Sequence, residues 1–310
     1  MKKILVPTDF SECSSAAYSY AALLAEKTGA EICLLHILDI PNSNPVAATT
    51  PDNENQGDTL FMMEMMKMTK AKMKKLKNDV VFKGAVVTEV IEFGSISEKT
   101  FGAAKKYNAD LIVMGTHGRN GLQETFLGSN AEKIVRDAEI PVLTVKDKVT
   151  NPKIENILLA TDFSNEVDFV LPAVSRIADL LGSRLVLTKI VTPAGFESTH
   201  ETEEQIEAFR EKSELYNYSS QVYYAYNKEE GIRRMADTFG ANMIALGTHG
   251  RHGLAHLFNG SIAEDLVNHS SVPVLTINFH KKLMKKKPIS RPEKTPILRA
   301  SEWAYQIPSV

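Results

Sequence analysis

The stretch GTHGRNGLQETFLGS occupies residues 115–129, and a near copy, GTHGRHGLAHLFNGS, occupies residues 247–261. Each copy follows a short apolar run and ends on a Gly-Ser pair. The likeness extends outward, because ILVPTDFS at residues 4–11 returns as ILLATDFS at residues 157–164. The repeated unit is much longer than the roughly 20–50 residues of a solenoid repeat, so the repeat predicts two domains of one fold.

The limits of the repeat predict the domain boundaries. The closing segment of the first copy, EIPVLTVK, returns near the end of the second as SVPVLTIN. We predict a first domain over residues 1–148, a second over residues 153–279, and a C-terminal tail over residues 280–310. The tail has no counterpart in the first copy, and it is basic and contains prolines. Two domains of about 150 residues each are also the usual division of a chain of this length.

The first copy alternates between two kinds of pattern. Short apolar runs such as KKILVP and EICLLHIL are typical of buried strands, and Pro7 ends the first of them. Ser11 is suited to cap a helix that stops at Gly29. The resulting order β-α-β-α-β-α-β-α-β predicts a parallel, Rossmann-like α/β sheet with helices on both faces. The repeat therefore predicts two open five-stranded parallel sheets in tandem.

The composition excludes several classes of protein. Hydrophobic residues make up 43% of the chain and the formal net charge is −2, so we expect an ordinary globular protein with no nucleic acid partner. Cys13 and Cys33 are too few for a disulfide framework and fit a reducing compartment. No apolar run approaches the roughly 18 residues of a membrane span. These features together predict a cytoplasmic location.

The repeated string has the features of a phosphate site. Gly115 and Gly118 follow a strand and allow positive φ or close approach of a ligand, and Gly128 opens a helix whose first amides can bind an anion. Arg119 and Arg251 add a guanidinium group to each copy. A tight structural turn is the alternative reading of the same glycines. The chain contains neither the G-x-x-x-x-G-K pattern of P-loops nor a G-x-G dinucleotide fingerprint.

At this point the chain resembles a tandem universal stress protein. The resemblance is carried by VPTDFS, by LLHILD, by the pattern Gly-x2-Gly-x9-Gly-Ser, and by PVLTV. It covers residues 1–146 and 154–278. The glycine pattern is that of the ATP-binding branch of this family. The resemblance implies the adenine nucleotide α-hydrolase-like fold, with ATP across the strand ends and Mg²⁺ able to accompany the nucleotide.

The resemblance also implies which residues hold the nucleotide. Asp9 would meet the ribose, Ile37 the adenine, and the glycines the phosphates. The binding residues expected in the first copy are Pro7, Thr8, Asp9, Ile37, Gly115, Gly118, Arg119, Gly128, Ser129 and Asn130. Those expected in the second copy are Thr161, Asp162, Ile190, Gly247, Gly250, Arg251, Gly260 and Ser261.

The second copy departs from the first beside the expected site. Ala160 replaces Pro7, Lys189 replaces His36, and Tyr226 aligns with Gly94. A tyrosine in the place of a glycine would narrow a nucleotide pocket. The sequence therefore leaves open whether the second site is occupied.

Three functions follow from these residues. The first is a nucleotide-binding stress or signalling protein in which ATP acts as a ligand and switch. The second is a slow ATPase or nucleotidyl transferase, although no acidic pair is tied to the glycine loop and no catalytic residue or metal site is predicted. The third is an interaction scaffold without nucleotide. His249, His252 and His256 are interpreted as loop residues rather than metal ligands.

Partner contacts are predicted at two levels. By resemblance, the last strand of each copy pairs with the other within the chain, which makes a pseudo-dimer, and further dimerisation remains open. A Met-rich helix over residues 60–76 is interpreted either as a partner surface or as one packed helix face. The C-terminal tail is the other candidate for a protein partner, since residues 281–310 hold eight Lys or Arg and two Glu.

Overall fold

The structure is a computed structural model that describes residues 1–38, 55–116, 128–164, 167–212, 218–248 and 260–278. The first half contains β1 (Lys3–Pro7), α1 (Glu12–Thr28), β2 (Glu31–Leu38), α2 (Asn55–Lys77), β3 (Val87–Phe93), α3 (Ile96–Lys106), β4 (Leu111–Gly115), α4 (Ser129–Asp137) and β5 (Val142–Val145). The second half contains β6 (Asn156–Ala160), α5 (Val167–Leu181), β7 (Arg184–Val191), α6 (Thr199–Lys212), β8 (Tyr218–Tyr224), α7 (Lys228–Phe239), β9 (Met243–Thr248), α8 (Gly260–His269) and β10 (Val274–Asn278). Within the described residues, no helix is both long enough and apolar enough to cross a membrane.

Helix α1 begins and ends at the residues that the sequence indicates. The side chain of Ser11 accepts a hydrogen bond from the backbone amide of Ser14, which caps the first turn. Gly29 ends the helix in the left-handed conformation, with φ of 68°. Local capping chemistry therefore determines both ends of the helix that follows β1.

The strands form one sheet of ten in the order β3-β2-β1-β4-β5-β10-β9-β6-β7-β8. Neighbouring strands are parallel within each half, and β5 and β10 are antiparallel where the halves meet. The predicted pair of open five-stranded parallel sheets is confirmed, and so is their pairing through the last strand of each copy. Each of these strands would be an unpaired edge if its half stood alone.

The β5–β10 junction has local twofold pseudosymmetry. Leu143 lies opposite Leu275, and these two residues occupy the same position in the repeat. The hydroxyl of Thr144 donates to the carbonyl oxygen of Val274 at 3.1 Å. The equivalent hydroxyl, that of Thr276, donates in the same way to the carbonyl oxygen of the residue before Leu143 at 3.3 Å. The two halves thus offer the same surface to each other, as subunits do in a twofold dimer.

Two further bonds across the junction continue the same symmetry. The ammonium group of Lys146 donates to the carbonyl oxygen of Asn268 at 3.2 Å. The side-chain amide of Asn278 donates to the carbonyl oxygen of Arg136 at 2.8 Å. Lysine and asparagine stand at the same repeat position here, and both bond the carboxyl-terminal part of the opposite helix, α8 or α4. The symmetry of the contact has survived a change of residue type.

The helices cover both faces of the sheet. On one face, α1, α2, α5 and α6 pack in a continuous apolar core, to which Ile4, Leu34 and Leu159 contribute. On the other face, α3, α4, α7 and α8 pack in a second core with Leu5 and Leu158. Consecutive strand residues point to opposite faces, so Ile4 and Leu5 separate into different cores. A strand buried on both faces reads as a continuous apolar run, as KKILVP does.

The Met-rich helix α2 has one packed face. Met73 and Thr69 are buried, and Met62 and Met66 continue that row toward the helix start with partial exposure. Met63 and Met68 are exposed on the outer face. The structure therefore combines the two interpretations of this segment, with one core-facing row and several outward methionines.

Shortening Leu143 tests how much stability the junction carries. This side chain is 1% exposed and lies at the centre of the pseudosymmetry. We expect Leu143→Ala to lower the free energy of unfolding by about 2–5 kcal/mol, because burial is lost and a cavity remains. Leu60→Ala is the control, since Leu60 is 68% exposed on α2 and should change stability by less than about 0.5 kcal/mol. Urea denaturation of both variants gives the comparison, and equal midpoints would contradict the role of the junction.

Candidate functional site

The candidate site lies where the strand order reverses in each half. From β1 the chain crosses to β2 on one side, and from β4 it crosses to β5 on the other. Such a divergence leaves a crevice beyond the carboxyl ends of the two central strands, where ligands bind in open α/β sheets. The crevice of the first half lies between the ends of β1 and β4, and that of the second between the ends of β6 and β9. Because β5 and β10 are antiparallel, the two crevices open at opposite edges of the sheet.

A backbone hydrogen bond closes the base of the repeated loop. The amide of Gly128 donates to the carbonyl oxygen of Thr116 at 3.1 Å. The chain thus leaves the sheet after Thr116 and returns to almost the same point to begin α4. This bond brings Gly128 next to the strand end that carries Gly115. Gly118 and Arg119 lie outside the described residues.

Helix α4 begins without a side-chain cap. Gly128 is the N-cap residue, with φ of −59° and ψ of 137°, and has no side chain with which to accept from the first-turn amides. Ser129 and Asn130 are exposed in that first turn. An uncapped helix start presents amide donors together with the positive end of the helix dipole. The amide of Gly128 itself is already bonded, so the donors for an anion are those of the following residues.

Gly115 has a packing role that the sequence does not reveal. It does not have positive φ, contrary to the expectation for this glycine, and the φ of Gly128 is also ordinary. A Cβ atom at Gly115 would lie 2.7 Å from the backbone carbonyl of Cys13 and 3.1 Å from the amide of Ser14. Glycine is therefore required here because the start of α1 lies directly against the end of β4.

The turn after β1 is fixed by its own side chains. The amide of Phe10 donates to the hydroxyl of Thr8 at 3.0 Å, and the amide of Ser11 donates to Oδ1 of Asp9 at 3.0 Å. The hydroxyl of Ser14 donates to the same carboxylate oxygen at 2.6 Å. Phe10 has φ of 63°, a conformation that costs free energy for a residue with a side chain. The turn holds the Asp9 carboxylate in place at the edge of the crevice.

Aromatic and polar groups support this turn from below. His36 is buried, its Nδ1 lies 2.7 Å from the carbonyl oxygen of Thr8, and its ring packs on Phe10 with 4.6 Å between centroids. The hydroxyls of Tyr18 and Thr8 share a hydrogen bond. Burial, reinforced by the negative charge of Asp9, raises the pKa of Tyr18 to about 12, so this phenol is neutral at physiological pH.

The same turn occurs after β6 with different supports. Phe163 has φ of 60°, its amide donates to the hydroxyl of Thr161 at 3.1 Å, and the amide of Ser164 donates to Oδ1 of Asp162 at 3.0 Å. Val167, however, stands where the first half has Ser14, and a valine cannot donate to the aspartate. The backbone of the turn is thus repeated, whereas the side-chain bond to the carboxylate is not.

Lys189 replaces His36 and makes a separate polar cluster. It is 5% exposed, and its ammonium group donates to Glu197 and to Gln205 at 2.5 Å each. Gln205 also donates to Glu197 at 3.0 Å. A buried charge requires such a partner. The cluster ties the end of β7 to α6 and has no equivalent in the first half.

The residues expected at the base lie on one face of the sheet. Ile37 packs against the core beneath α3 and α4, and Ile190 is buried in the equivalent core beneath α7. A Cβ atom at Gly231 would lie 2.6 Å from Ile190, so α7 packs closely against it. Both isoleucines therefore lie on the face from which α4 or α8 starts.

The comparison of Gly94 with Tyr226 in the sequence is wrong by one position. The amide of Gly94 donates to the end of β2, and in the second half Ala225 makes the equivalent bond to the end of β7. Tyr226 is an extra residue between β8 and the N-cap of α7, and it is 90% exposed. Its ring points to solvent and does not narrow the second crevice.

Known proteins were compared with the chain as a whole. The model of the universal stress protein family matches residues 1–146 and again residues 153–278. The chain belongs to the universal stress protein family. Universal stress protein Slr1230 of Synechocystis is 26% identical over 293 residues, which cover 89% of this chain and 99% of that one. Universal stress protein MJ0531 of Methanocaldococcus jannaschii is 33% identical over 145 residues, or 47% of this chain and 82% of that one.

Solved structures of the family share the tandem fold. A universal stress protein of Archaeoglobus fulgidus aligns with a TM-score of 0.69 at 20% identity, covering 89% of this chain and 98% of that chain. At this identity the likeness shows the fold alone. It agrees with the ten-stranded arrangement found here.

The remaining residues expected in this universal stress protein site are only partly placed. Pro7 ends β1 beside Leu35, and Gly247 lies in β9 opposite Ile277. Gly260 and Ser261 begin α8, as Gly128 and Ser129 mark the start of α4. Gly250, Arg251 and the histidines 249, 252 and 256 lie outside the described residues. In the part of the chain that the structure does describe, no group of three His, Cys, Asp or Glu is arranged to hold a metal ion.

Gly115→Ala tests the packing role of this glycine. The new methyl group would meet the backbone of Cys13 at 2.7 Å, so α1 or β4 must move. We expect a loss of about 1–3 kcal/mol in the free energy of unfolding. Gly102→Ala in α3 is the control, because no atom lies within 4 Å of its Cβ position and alanine favours a helix by up to about 1 kcal/mol. Urea denaturation that shows no loss for Gly115→Ala would contradict the close contact.

Proposed function

We propose that this universal stress protein binds ATP in the crevices of its two halves, and that the bound nucleotide acts as a ligand and switch rather than as the substrate of dedicated catalysis. The observation that carries the proposal is the uncapped start of α4, which the bond from Gly128 to Thr116 places at the crevice edge. This arrangement offers several oriented amides to a phosphate group without competition from a capping side chain.

The rest of the first crevice fits the nucleoside. Asp9 stands at the end of β1 with its carboxylate held by Ser11 and Ser14, and a carboxylate accepts from vicinal hydroxyl groups such as those of ribose. Ile37 adds an apolar surface on the face from which α4 starts, suited to a purine ring. Pro7 and Thr8 shape the turn between them. Mg²⁺ can accompany the phosphates, and Arg119 and Arg251 stay predicted phosphate contacts.

The switch interpretation rests on charge and position. A bound triphosphate adds several negative charges at one edge of the sheet, beside the loop that joins β4 to α4. A partner that contacts this edge would meet a different electrostatic surface with and without nucleotide. The two unpaired cysteines, Cys13 and Cys33, are in keeping with our proposal of a cytoplasmic location, where thiols stay reduced.

Replacing Gly128 with capping residues tests the phosphate site without disrupting the helix. Gly128→Asp places a carboxylate over the first-turn amides of α4, where it stabilises the helix and repels phosphate. We expect ATP affinity at the first-half site to fall on the order of 100-fold, since charge-assisted bonds of about 1.5–3 kcal/mol are lost. The free energy of unfolding should stay the same or rise. Isothermal titration calorimetry and urea denaturation measure the two effects.

Gly128→Ser is the matched control, because serine caps the same amides without a charge. We expect its ATP affinity to lie between those of the unmutated protein and Gly128→Asp. Mass spectrometry of small molecules released by denaturing the purified protein adds an independent readout, and ATP is the expected product. If Gly128→Asp binds ATP as tightly as the unmutated protein, the start of α4 does not hold the phosphates.

A further inference from the structure

The aspartate turns of the two halves differ in one respect that concerns ligand choice. In the first half, Oδ1 of Asp9 accepts from the hydroxyl of Ser14 as well as from a backbone amide. In the second half, Oδ1 of Asp162 accepts only from the amide of Ser164 among the bonds found there, and Oδ2 is buried with no hydrogen-bond partner. Val167, the equivalent of Ser14, is buried and supplies none.

A second unpartnered oxygen lies at the end of the adjoining strand. Thr248 is the last residue of β9 and only 6% exposed, and its hydroxyl oxygen has no hydrogen-bond partner. Ile244 and Leu246 point to the core beneath α7 and α8, and Thr248 continues that row to the edge of the crevice. Its counterpart in the first half, Thr116, does have an interaction partner.

The strand register brings these two oxygens to the same crevice. Ala160 of β6 lies opposite Leu246 of β9. Asp162 and Thr248 each follow two residues later, on neighbouring chains that are about 4.8 Å apart in a sheet. Buried polar atoms in folded proteins nearly always have partners, and an orphaned one carries an unrecovered desolvation cost. A hydroxyl group placed between them would donate to the carboxylate and accept from the threonine.

We propose that the two halves differ in ligand recognition, with the second crevice built to recognise the hydroxyl groups of its ligand through Asp162 and Thr248. The ligand class is a ribonucleotide, and the discriminating group is a ribose hydroxyl. The inference rests on the proposed nucleotide binding. In the first crevice, Ser14 already supplies a hydroxyl donor to Asp9, so a ribose hydroxyl there adds less.

Single-site proteins and deoxynucleotides test this inference. Gly128→Asp leaves the second crevice as the binding site, and Gly260→Asp leaves the first. Each full-length variant is titrated calorimetrically with ATP, 2′-deoxy-ATP and 3′-deoxy-ATP. In the Gly128→Asp protein we expect ATP to bind at least about tenfold more tightly than one of the deoxynucleotides, the loss of one bond to a charged group. In the Gly260→Asp protein we expect a difference below about threefold.

Thr248→Val, added to the Gly128→Asp protein, separates recognition from folding. It removes an unpartnered buried hydroxyl, so the unfolding midpoint should hold or rise, while the preference for ATP over the deoxynucleotide should fall to about threefold or less. Thr202→Val is the matched control. Thr202 is also buried with an unpartnered hydroxyl, but it lies on α6, which packs on the opposite face of the sheet. This variant should leave ATP binding unchanged.

The outcomes distinguish the two proposals. Equal discrimination by both single-site proteins, or an unaltered preference in Thr248→Val, would overturn the inference while nucleotide binding stands. Equal losses of ATP affinity in Thr248→Val and Thr202→Val would also overturn it, since the effect would then come from packing in general. If the unmutated protein binds neither ATP nor its deoxy forms, the proposed function fails and the inference fails with it.

Discussion

The antiparallel pairing of β5 with β10 is the contact on which the rest of the molecule depends. It turns two exposed apolar edges into the middle of one ten-stranded sheet, and the pairs around Leu143 and Leu275 are fully buried there. It also places α1 against α5 and aligns the side chains of Lys146 and Asn278 with the opposite helix ends. The orientation of each crevice follows directly from the direction of this pairing, because every other strand is parallel to the last strand of its own half.

Much of the fold was predictable because its signals are local. Ser11 and Gly29 mark the ends of α1 by capping chemistry, and the apolar runs identify strands buried on both faces. The repeat itself predicts two equal sheets. The requirement for glycine at residue 115 was not predictable, since it comes from the backbone of Cys13, a contact between segments far apart in sequence. The extra residue Tyr226 was missed because an ungapped alignment moves it onto Gly94.

The candidate site shows the same division. Strand ends and a helix start can be read from the sequence, and Asp9, Gly115 and Gly128 are brought to one edge as expected. The bond from Ser14 to Asp9 and the orphaned oxygen of Asp162 depend on which rotamers the packed turn allows, and no spacing rule reports that. The left-handed Phe10 and Phe163 were likewise invisible, because phenylalanine has no preference for that conformation.

The covalent connection between the halves has a consequence for how the protein can change. In a dimer of identical chains, one substitution alters both crevices at once, so the sites must keep the same chemistry. Here Ser14 and Val167 occupy equivalent positions in one chain and differ freely, as do His36 and Lys189. The join between the sheets preserves twofold geometry while removing twofold identity. Fusion thus allows one crevice to acquire a new specificity while its twin retains the old one, at no cost to the interface that holds both together.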